Sequence, residues 1–400
     1  MADYNLKITH LCVGLGLSVL IELDYIHPAT GAGRFVGLLD CGTIAGGKSF
    51  YEPALQQIAA AVNNNGGYIN YLHISHFDDD HYNKLGTLAV LYNSTYHAGI
   101  TVGKFFFGCV GNKNSAEIAA AVRQIFIVNN LYEFTNNFYH RPGVIYFYPP
   151  PSVPGVVLFE NIELDNNLYF RICPILYHAH LIPALYGLTD IDIRDAGVKI
   201  NTGSSILLVT IVAESVVGGV INDTPYISYV FTGDATLETM KILQKAGILF
   251  GQEHKLILVS HHGAKRHVAD DENTNDYTTL NCFLNQVSPS GAVVSAKCKN
   301  QIGWTHPHMD TMDAYENYLY NPSGFSQNLT SFYWDSANGK MTVRQGTTDR
   351  LFYQTFRLNG TVQNGTFYGN CAKSSYERID VEMTSDSADP RNFTVTENIR

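Results

Sequence analysis

The sequence predicts an α/β (α+β) fold of stacked sheet and helix layers, and three observations predict it. Short runs rich in Val, Ile, Leu, Tyr and Phe recur from residue 6 to beyond residue 290 and have strand length. Segments with apolar residues at helical spacing lie between them, as with Leu55, Ile58, Ala59 and Val62. Five strand-like regions end in polar clusters containing Asp or His, as in a layered unit that presents its working groups along one sheet edge. Hydrophobic residues make up 45% of the 400, which fills a sizeable core and excludes a disordered chain.

In chain order, Leu6 to Val13 reads as a first strand closed by the turn Gly14-Leu15-Gly16. Ser18 to Leu23 and Arg34 to Leu39 make a hairpin around Pro28 and Gly31-Ala32-Gly33, ending in Asp40-Cys41-Gly42-Thr43. Pro53 starts a helix. The turn Asn63-Asn64-Asn65-Gly66-Gly67 then leads into strand Tyr68 to Ile74 and the loop His76-Phe77-Asp78-Asp79-Asp80-His81. Residues 87–150 read as a helical insertion covering the site, with a helix over Ser115 to Leu131 and an aromatic and proline run, Val144 to Pro154, that breaks regular structure.

Strand Tyr169 to Tyr177 is followed by His178 and His180, and Asn201-Thr202-Gly203-Ser204-Ser205 opens strand Ile206 to Val212. That strand pairs with Tyr226 to Phe231, which ends in Thr232-Gly233-Asp234-Ala235 before a helix from Leu237 to Ala246. Lys255 to Val259 ends in Ser260-His261-His262-Gly263, and Gly291 to Ser295 leads to Trp304-Thr305-His306-Pro307-His308 and a helix through Tyr320. Beyond residue 325 come short strands, Ser331 to Trp334 and Leu351 to Leu358. The expected organisation is one domain over 1–325 and a β-rich C-terminal extension over 326–400, its last 25 residues loose.

The net charge of −10 supplies no overall field for a long polyanion, so long duplex nucleic acid is not an expected partner. Seven Cys without a CxxC pair point to reduced thiols in a reducing compartment and away from a zinc ribbon. The chain starts without a basic and apolar leader and holds no uncharged apolar run of the ~18 residues a membrane span needs. A cytoplasmic protein with no membrane partner is the expectation.

His76, Asp78, Asp80 and His81 fall within six residues, and such a set is costly to hold together without a cation among its members. Acidic loops with a His are common on solvated surfaces, and a lone His in an apolar setting is usually a core residue. Recurrence decides otherwise: Asp40, the 76–81 set, Asp234, His261/His262 and His306 all follow strand ends.

These motifs together resemble the metallo-β-lactamase-fold hydrolases, whose signature is a strand, a His-x-His-x-Asp-His loop and later His, Asp and His on separate loops. Here the loop is His76-x-Asp78-x-Asp80-His81, with Asp where the second His is usual. With Gly14-Leu15-Gly16, Asp40-Cys41-Gly42, Thr232-Gly233-Asp234, Ser260-His261-His262-Gly263 and Gly303-x-x-His306-Pro307, the variant is similar to the soluble hydrolase domain of DNA-uptake competence proteins. The likeness runs from about residue 6 to 320. It implies an αββα sandwich of two mixed sheets flanked by helices, with two divalent metal ions, Zn or Mn, at one sheet edge. His76 and Asp78 would hold one ion, Asp80 and His81 the other, and Asp234 would bridge them. His262, or His261, would complete the second site; His178, His180 or neither would complete the first. Asp40 would orient ligands from behind, with Asn201 a further supporting residue. The membrane channel of the competence proteins has no counterpart here, so the chain is not expected to be the translocator. Leu15 and Leu17 replace polar residues of that branch and would narrow or dry the pocket.

Hard oxygen ligands and a metal pair suit in-line displacement at phosphorus. The implied activity is therefore a phosphodiesterase or nuclease acting on a nucleotide, cyclic nucleotide or short single strand through hydroxide activated between two metals. Asp80 or Asp234 would steer that nucleophile, and His306 would stabilise the phosphorane oxygens or protonate the leaving group. The alternatives are hydrolysis of a carboxylic ester, lactone or amide, and a metal-stapled interaction module.

Overall fold

The computed structural model describes residues 3–43, 48–76, 78–107, 115–133, 160–165, 167–176, 204–217, 220–245, 253–266, 268–271, 273–296, 306–319, 327–335, 340–348, 351–358, 360–363, 366–369, 376–391 and 393–399. The amino-terminal half contributes β1 (Tyr4–His10), β2 (Ser18–His27), β3 (Gly31–Cys41), α1 (Lys48–Asn64), β4 (Tyr68–Ile74), the one-turn α2 (Asp79–Tyr82), α3 (Leu85–Tyr96), β5 (Thr101–Phe107), α4 (Ser115–Ile125) and β6 (Ile127–Glu133). Next come β7 (Glu160–Asp165), β8 (Leu168–Leu176), β9 (Ile206–Val217), β10 (Val220–Phe231), α5 (Leu237–Lys245), β11 (His254–Leu258), α6 (Thr278–Val287), β12 (Gly291–Val294) and α7 (Met309–Tyr318). The tail holds β13 (Gln327–Asp335), β14 (Lys340–Thr348), β15 (Leu351–Gln354), β16 (Phe356–Leu358), β17 (Gly360–Gln363), β18 (Thr366–Gly369), β19 (Tyr376–Asp386) and β20 (Thr394–Ile399).

Two mixed sheets form the body. The first runs β16-β19-β1-β2-β3-β4-β5-β6, with β20 also on β19; the second runs β15-β12-β11-β10-β9-β8-β7. Within them β3, β4, β5 and β6 are parallel neighbours, as are β10, β11, β12 and β15. The remaining pairs of the two sheets are antiparallel, for example β1 with β2 and β8 with β9.

Strand alternation explains the layering. Val19, Ile21 and Leu39 of the first sheet pack with Phe170, Val209, Tyr229 and Leu256 of the second. Their chain neighbours Leu20 and Leu38 turn outward to a second cluster with Leu55, Ile58 and Val62 of α1, Leu88 of α3 and Val122 of α4. Helices α5, α6 and α7 bury Met240, Leu284 and Met312 in turn. This is the helix-sheet-sheet-helix layering that the sequence resemblance implies.

Three expectations need correction. Residues 87–150 are not, in their described parts, a helical insertion, because β5 and β6 extend the first sheet in parallel register from β4. The helix expected over 115–131 stops at Ile125, and Ile127 begins β6. Finally, the tail is woven into the body. β15 pairs with β12 of the second sheet, and β19 pairs with β1 and β20 in the first, so Tyr376–Asp386 and Thr394–Ile399 are paired strands rather than loose chain. The reason is apolar: Ile379, Val381 and Met383 alternate into the inter-sheet core. No helix among the described residues is long and apolar enough to cross a membrane.

Candidate metal centre

The carboxyl ends of parallel β3 and β4 and of parallel β10, β11 and β12 carry the polar clusters. Asp40 is the penultimate residue of β3, with a left-handed φ of 55°. Its Oδ1 accepts from the Ser75 amide at 2.7 Å, and its Oδ2 accepts from Ser75 Oγ at 2.7 Å and faces His81 Nδ1 at 2.6 Å. Gly42, two residues on, lets β3 press against α2: a Cβ there would lie 2.4 Å from the Asp80 carbonyl carbon and 2.5 Å from the His81 nitrogen. Leu17 N closes the same turn by donating to the Asp80 carbonyl at 3.0 Å.

Three histidines share one logic. Each has Nδ1 engaged from behind and Nε2 turned toward carboxylates. His81 Nδ1 is held by Asp40; His262 Nδ1 donates to the Ser295 carbonyl at 2.6 Å; His76 Nδ1 meets the hydroxyls of Ser75 and Ser204, each at 3.0 Å. On the other side, His81 Nε2 is 3.3 Å from Asp234 Oδ1, and His262 Nε2 is 3.3 Å from Asp80 Oδ2 and 3.6 Å from Asp234 Oδ1. His76 Nε2 stands 3.8 Å from Asp234 Oδ2 and 3.7 Å from Asp78 Oδ2. The Nε2 atoms of His76, His81 and His262 and Asp234 Oδ1 are buried without a hydrogen bond. Such orphaned atoms are costly unless a cation satisfies them.

Among the described residues, two overlapping groups have ligand atoms within 4.8 Å of one another: His76 with His81 and Asp234, and Asp80 with His81 and His262. Imidazoles with fixed outer partners beside carboxylates fit a divalent transition-metal ion. The electrostatics agree. Burial disfavours a charged His81, yet the Asp234 and Asp40 carboxylates outweigh it and hold the imidazole well above its usual range. Burial likewise opposes the Asp234 carboxylate, but His81, His262 and His261 pull it well below the usual carboxylate range. A cation among these groups displaces imidazole protons, so its binding is coupled to proton release.

The adjacent histidines of the 260–263 turn diverge. His261 and His262 both take left-handed backbone, with φ of 50° and 53°. His262 is buried in the second ligand group, whereas His261 sits at the rim, its Nε2 3.7 Å from Asp234 Oδ2. His306 lies beside His261, with ring centroids 6.0 Å apart. Burial, with His261 and His262 nearby, pushes His306 down to about 3, so it stands as a neutral imidazole. Asp78 is partly exposed at the mouth. His178, His180 and Asn201 lie outside the described residues. Leu15 and Leu17, expected to narrow or dry the pocket, are both buried, Leu17 within the inter-sheet core.

Sequence reasoning missed Ser75, Ser204 and Ser295. Ser204 Oγ accepts from the Asp234 amide at 3.2 Å as well as meeting His76, and the Ser205 amide donates to the Ser75 carbonyl at 3.2 Å, tying β9 to the metal loop. The one available signal was the hydroxyl pair Ser204-Ser205 directly before an apolar strand.

No family model and no curated protein matches the chain. Among solved structures it is similar to the metallo-β-lactamase fold protein YhfI from Bacillus subtilis, with a TM-score of 0.37 and 9% identity over 79% of this chain and 94% of that one. It is also similar to a long form RNase Z from yeast, with a TM-score of 0.33 and 12% identity over 75% of this chain and 38% of that one.

Proposed function

We propose that the chain is a metal-dependent hydrolase that cleaves a phosphodiester in a nucleotide, a cyclic nucleotide or a short single strand. The placement of Asp234 carries this reading. Its Oδ1 faces His81 and His262 at 3.3 and 3.6 Å, while its Oδ2 faces His76 and His261 at 3.8 and 3.7 Å. One carboxylate thus turns an oxygen to each of two imidazole groups, as bridging two cations requires. His76 and Asp78 would hold one ion, Asp80, His81 and His262 the other, with Asp234 between.

Zn or Mn suits this mixed nitrogen and oxygen set. When bound, such ions supply positive charge to the attacking and leaving oxygens of an in-line displacement. The side chains do the positioning. Asp80 Oδ2 faces His262 at 3.3 Å, while its Oδ1 stands 4.0 Å from His81 Nε2, beyond hydrogen-bond reach, where it would orient an attacking water by accepting its hydrogen. His306, beside His261 at the rim, is the group placed to donate to the leaving oxygen. The net charge of −10 favours a short substrate over a long duplex.

The test is hydrolysis of bis-p-nitrophenyl phosphate, cyclic nucleotides and linear DNA in the presence of Mn²⁺, for wild type and Asp80→Ala. Turnover that falls more than ~100-fold in the variant, beyond the usual loss from removing an outer partner of a ligand, supports the proposal. No turnover of any phosphodiester, with activity on a lactone or thioester panel instead, replaces it with carboxylic ester chemistry.

A further inference from the structure

The three inward histidines are not backed alike, and the difference falls along the line between the two halves of the centre. Behind His81 stands a carboxylate, Asp40, at 2.6 Å; behind His262 stands the Ser295 carbonyl, also at 2.6 Å. Behind His76 stand two neutral hydroxyls, Ser75 and Ser204, each at the longer 3.0 Å. The Ser75 hydroxyl is already committed to Asp40, donating to its Oδ2 at 2.7 Å, so toward His76 it acts as an acceptor. Ser204 Oγ in turn accepts from the Asp234 amide at 3.2 Å, so it ties the orientation of His76 to the loop that carries the shared carboxylate.

An imidazole with an anionic or carbonyl acceptor on Nδ1 gains electron density at Nε2 and a fixed ring plane, and so binds a cation more tightly than one with hydroxyl partners. Exposure runs the same way. The Asp80 side chain is 10% exposed and the Asp78 side chain at the other half 38%, so holding Asp78 on an ion costs more conformational freedom.

We propose that the centre is asymmetric: the Asp80-His81-His262 half takes up its ion first and holds it, while the His76-Asp78 half binds a second, exchangeable ion whose retention depends on the Ser204 hydroxyl. Ser204 is then a positioning residue for His76. This rests on the metal-dependent reading above, and it gives that reading a control point, because full occupancy follows the free concentration of the second ion.

The experiment is titration of the chelator-stripped full chain with Mn²⁺ and, separately, Zn²⁺, followed by calorimetry and by the metal content retained after gel filtration in metal-free buffer. The expected result is two binding steps separated by at least about tenfold in Kd, with one ion per chain retained. Ser204→Ala should weaken the second step by about tenfold and leave the first unchanged, Ser204→Thr should restore it, and Asp40→Asn should weaken the first. Two steps of equal affinity, or a Ser204→Ala effect on the tight step, overturns the asymmetry while leaving the metal centre standing. No binding by wild-type protein removes the metal-dependent reading itself.

Discussion

At the scale of single residues, the candidate metal centre depends on close approaches that tolerate little change. Gly42 touches the backbone of Asp80 and His81, where any Cβ would lie at 2.4–2.5 Å from main-chain atoms. Gly42→Ala must therefore push α2 away from β3, and overpacking of this kind costs on the order of 1–3 kcal/mol. The expected outcome is a lower Tm together with weaker metal binding, measured by thermal unfolding with and without Mn²⁺. An unchanged Tm with unchanged metal uptake would show that the clamp does not position the loop. Asp40 contributes differently. It serves Ser75 and His81 at once, so Asp40→Ala removes an acceptor from three hydrogen-bonding atoms rather than a ligand. These roles divide sharply in how far the sequence reveals them. His76, Asp80, His81 and Asp234 declare themselves by residue type and by following apolar runs. Ser204 does not, because its role exists only once β9 docks against Ser75 through a contact far apart in sequence. His261 and His262 are adjacent in type and position, and only the left-handed backbone of the 260–263 turn separates the candidate ligand from the rim residue.

At the scale of elements, long apolar runs between turn residues are legible, and the run from Tyr68 to Ile74 forms a strand with those bounds. The errors arise where a run is short or its partners are distant. Ile125 to Leu131 continues the stripe of α4 in sequence, yet the chain turns at Phe126 and pairs with β5, since tertiary pairing overrides a helical pattern of this length. The tail differs from its sequence pattern for a related reason. Tyr376 to Asp386 alternates apolar and polar residues, but its burial depends on β1, more than 360 residues earlier in the chain. Ile379, Val381 and Met383 are each almost wholly buried there, and a buried side chain of this kind contributes ~1.5–3 kcal/mol. Asp380 adds a cap, accepting from the Cys12 amide at 2.8 Å. Removal of residues 376–400 is accordingly expected to yield protein that is unfolded or insoluble, read by circular dichroism and size-exclusion chromatography. A truncated chain with native Tm would mean that β19 is dispensable.

At the scale of the whole molecule, two sheets press a largely apolar interior together, and the few ionisable groups inside it set the response to pH. His10 is fully buried on β1, edge-on to Tyr229 with ring centroids 5.2 Å apart. Burial pushes its pKa down to about 3. In the unfolded chain the same side chain titrates near ~6.5, so its neutral form costs nothing above that value. As pH falls from ~6.5 toward the folded value, the unfolded state gains the proton first, and stability drops by ~1.4 kcal/mol per unit. Denaturant unfolding at pH 5 should therefore show the wild type about 2 kcal/mol less stable from this residue than at pH 7.5, while His10→Phe flattens that part of the profile. Equal pH dependence in the two proteins would place the loss elsewhere.

All of these scales meet at the sheet edge, where strand ends from both sheets deliver Asp80, His81, Asp234 and His262 to one point. The most direct measurement is anomalous diffraction from crystals soaked in Mn²⁺ or Zn²⁺. A metal peak in bonding contact with Asp80, His81 Nε2 and His262 Nε2, and with Asp234, is the expected result. A map with no peak among those side chains, or with metal bound only elsewhere on the chain, would contradict it.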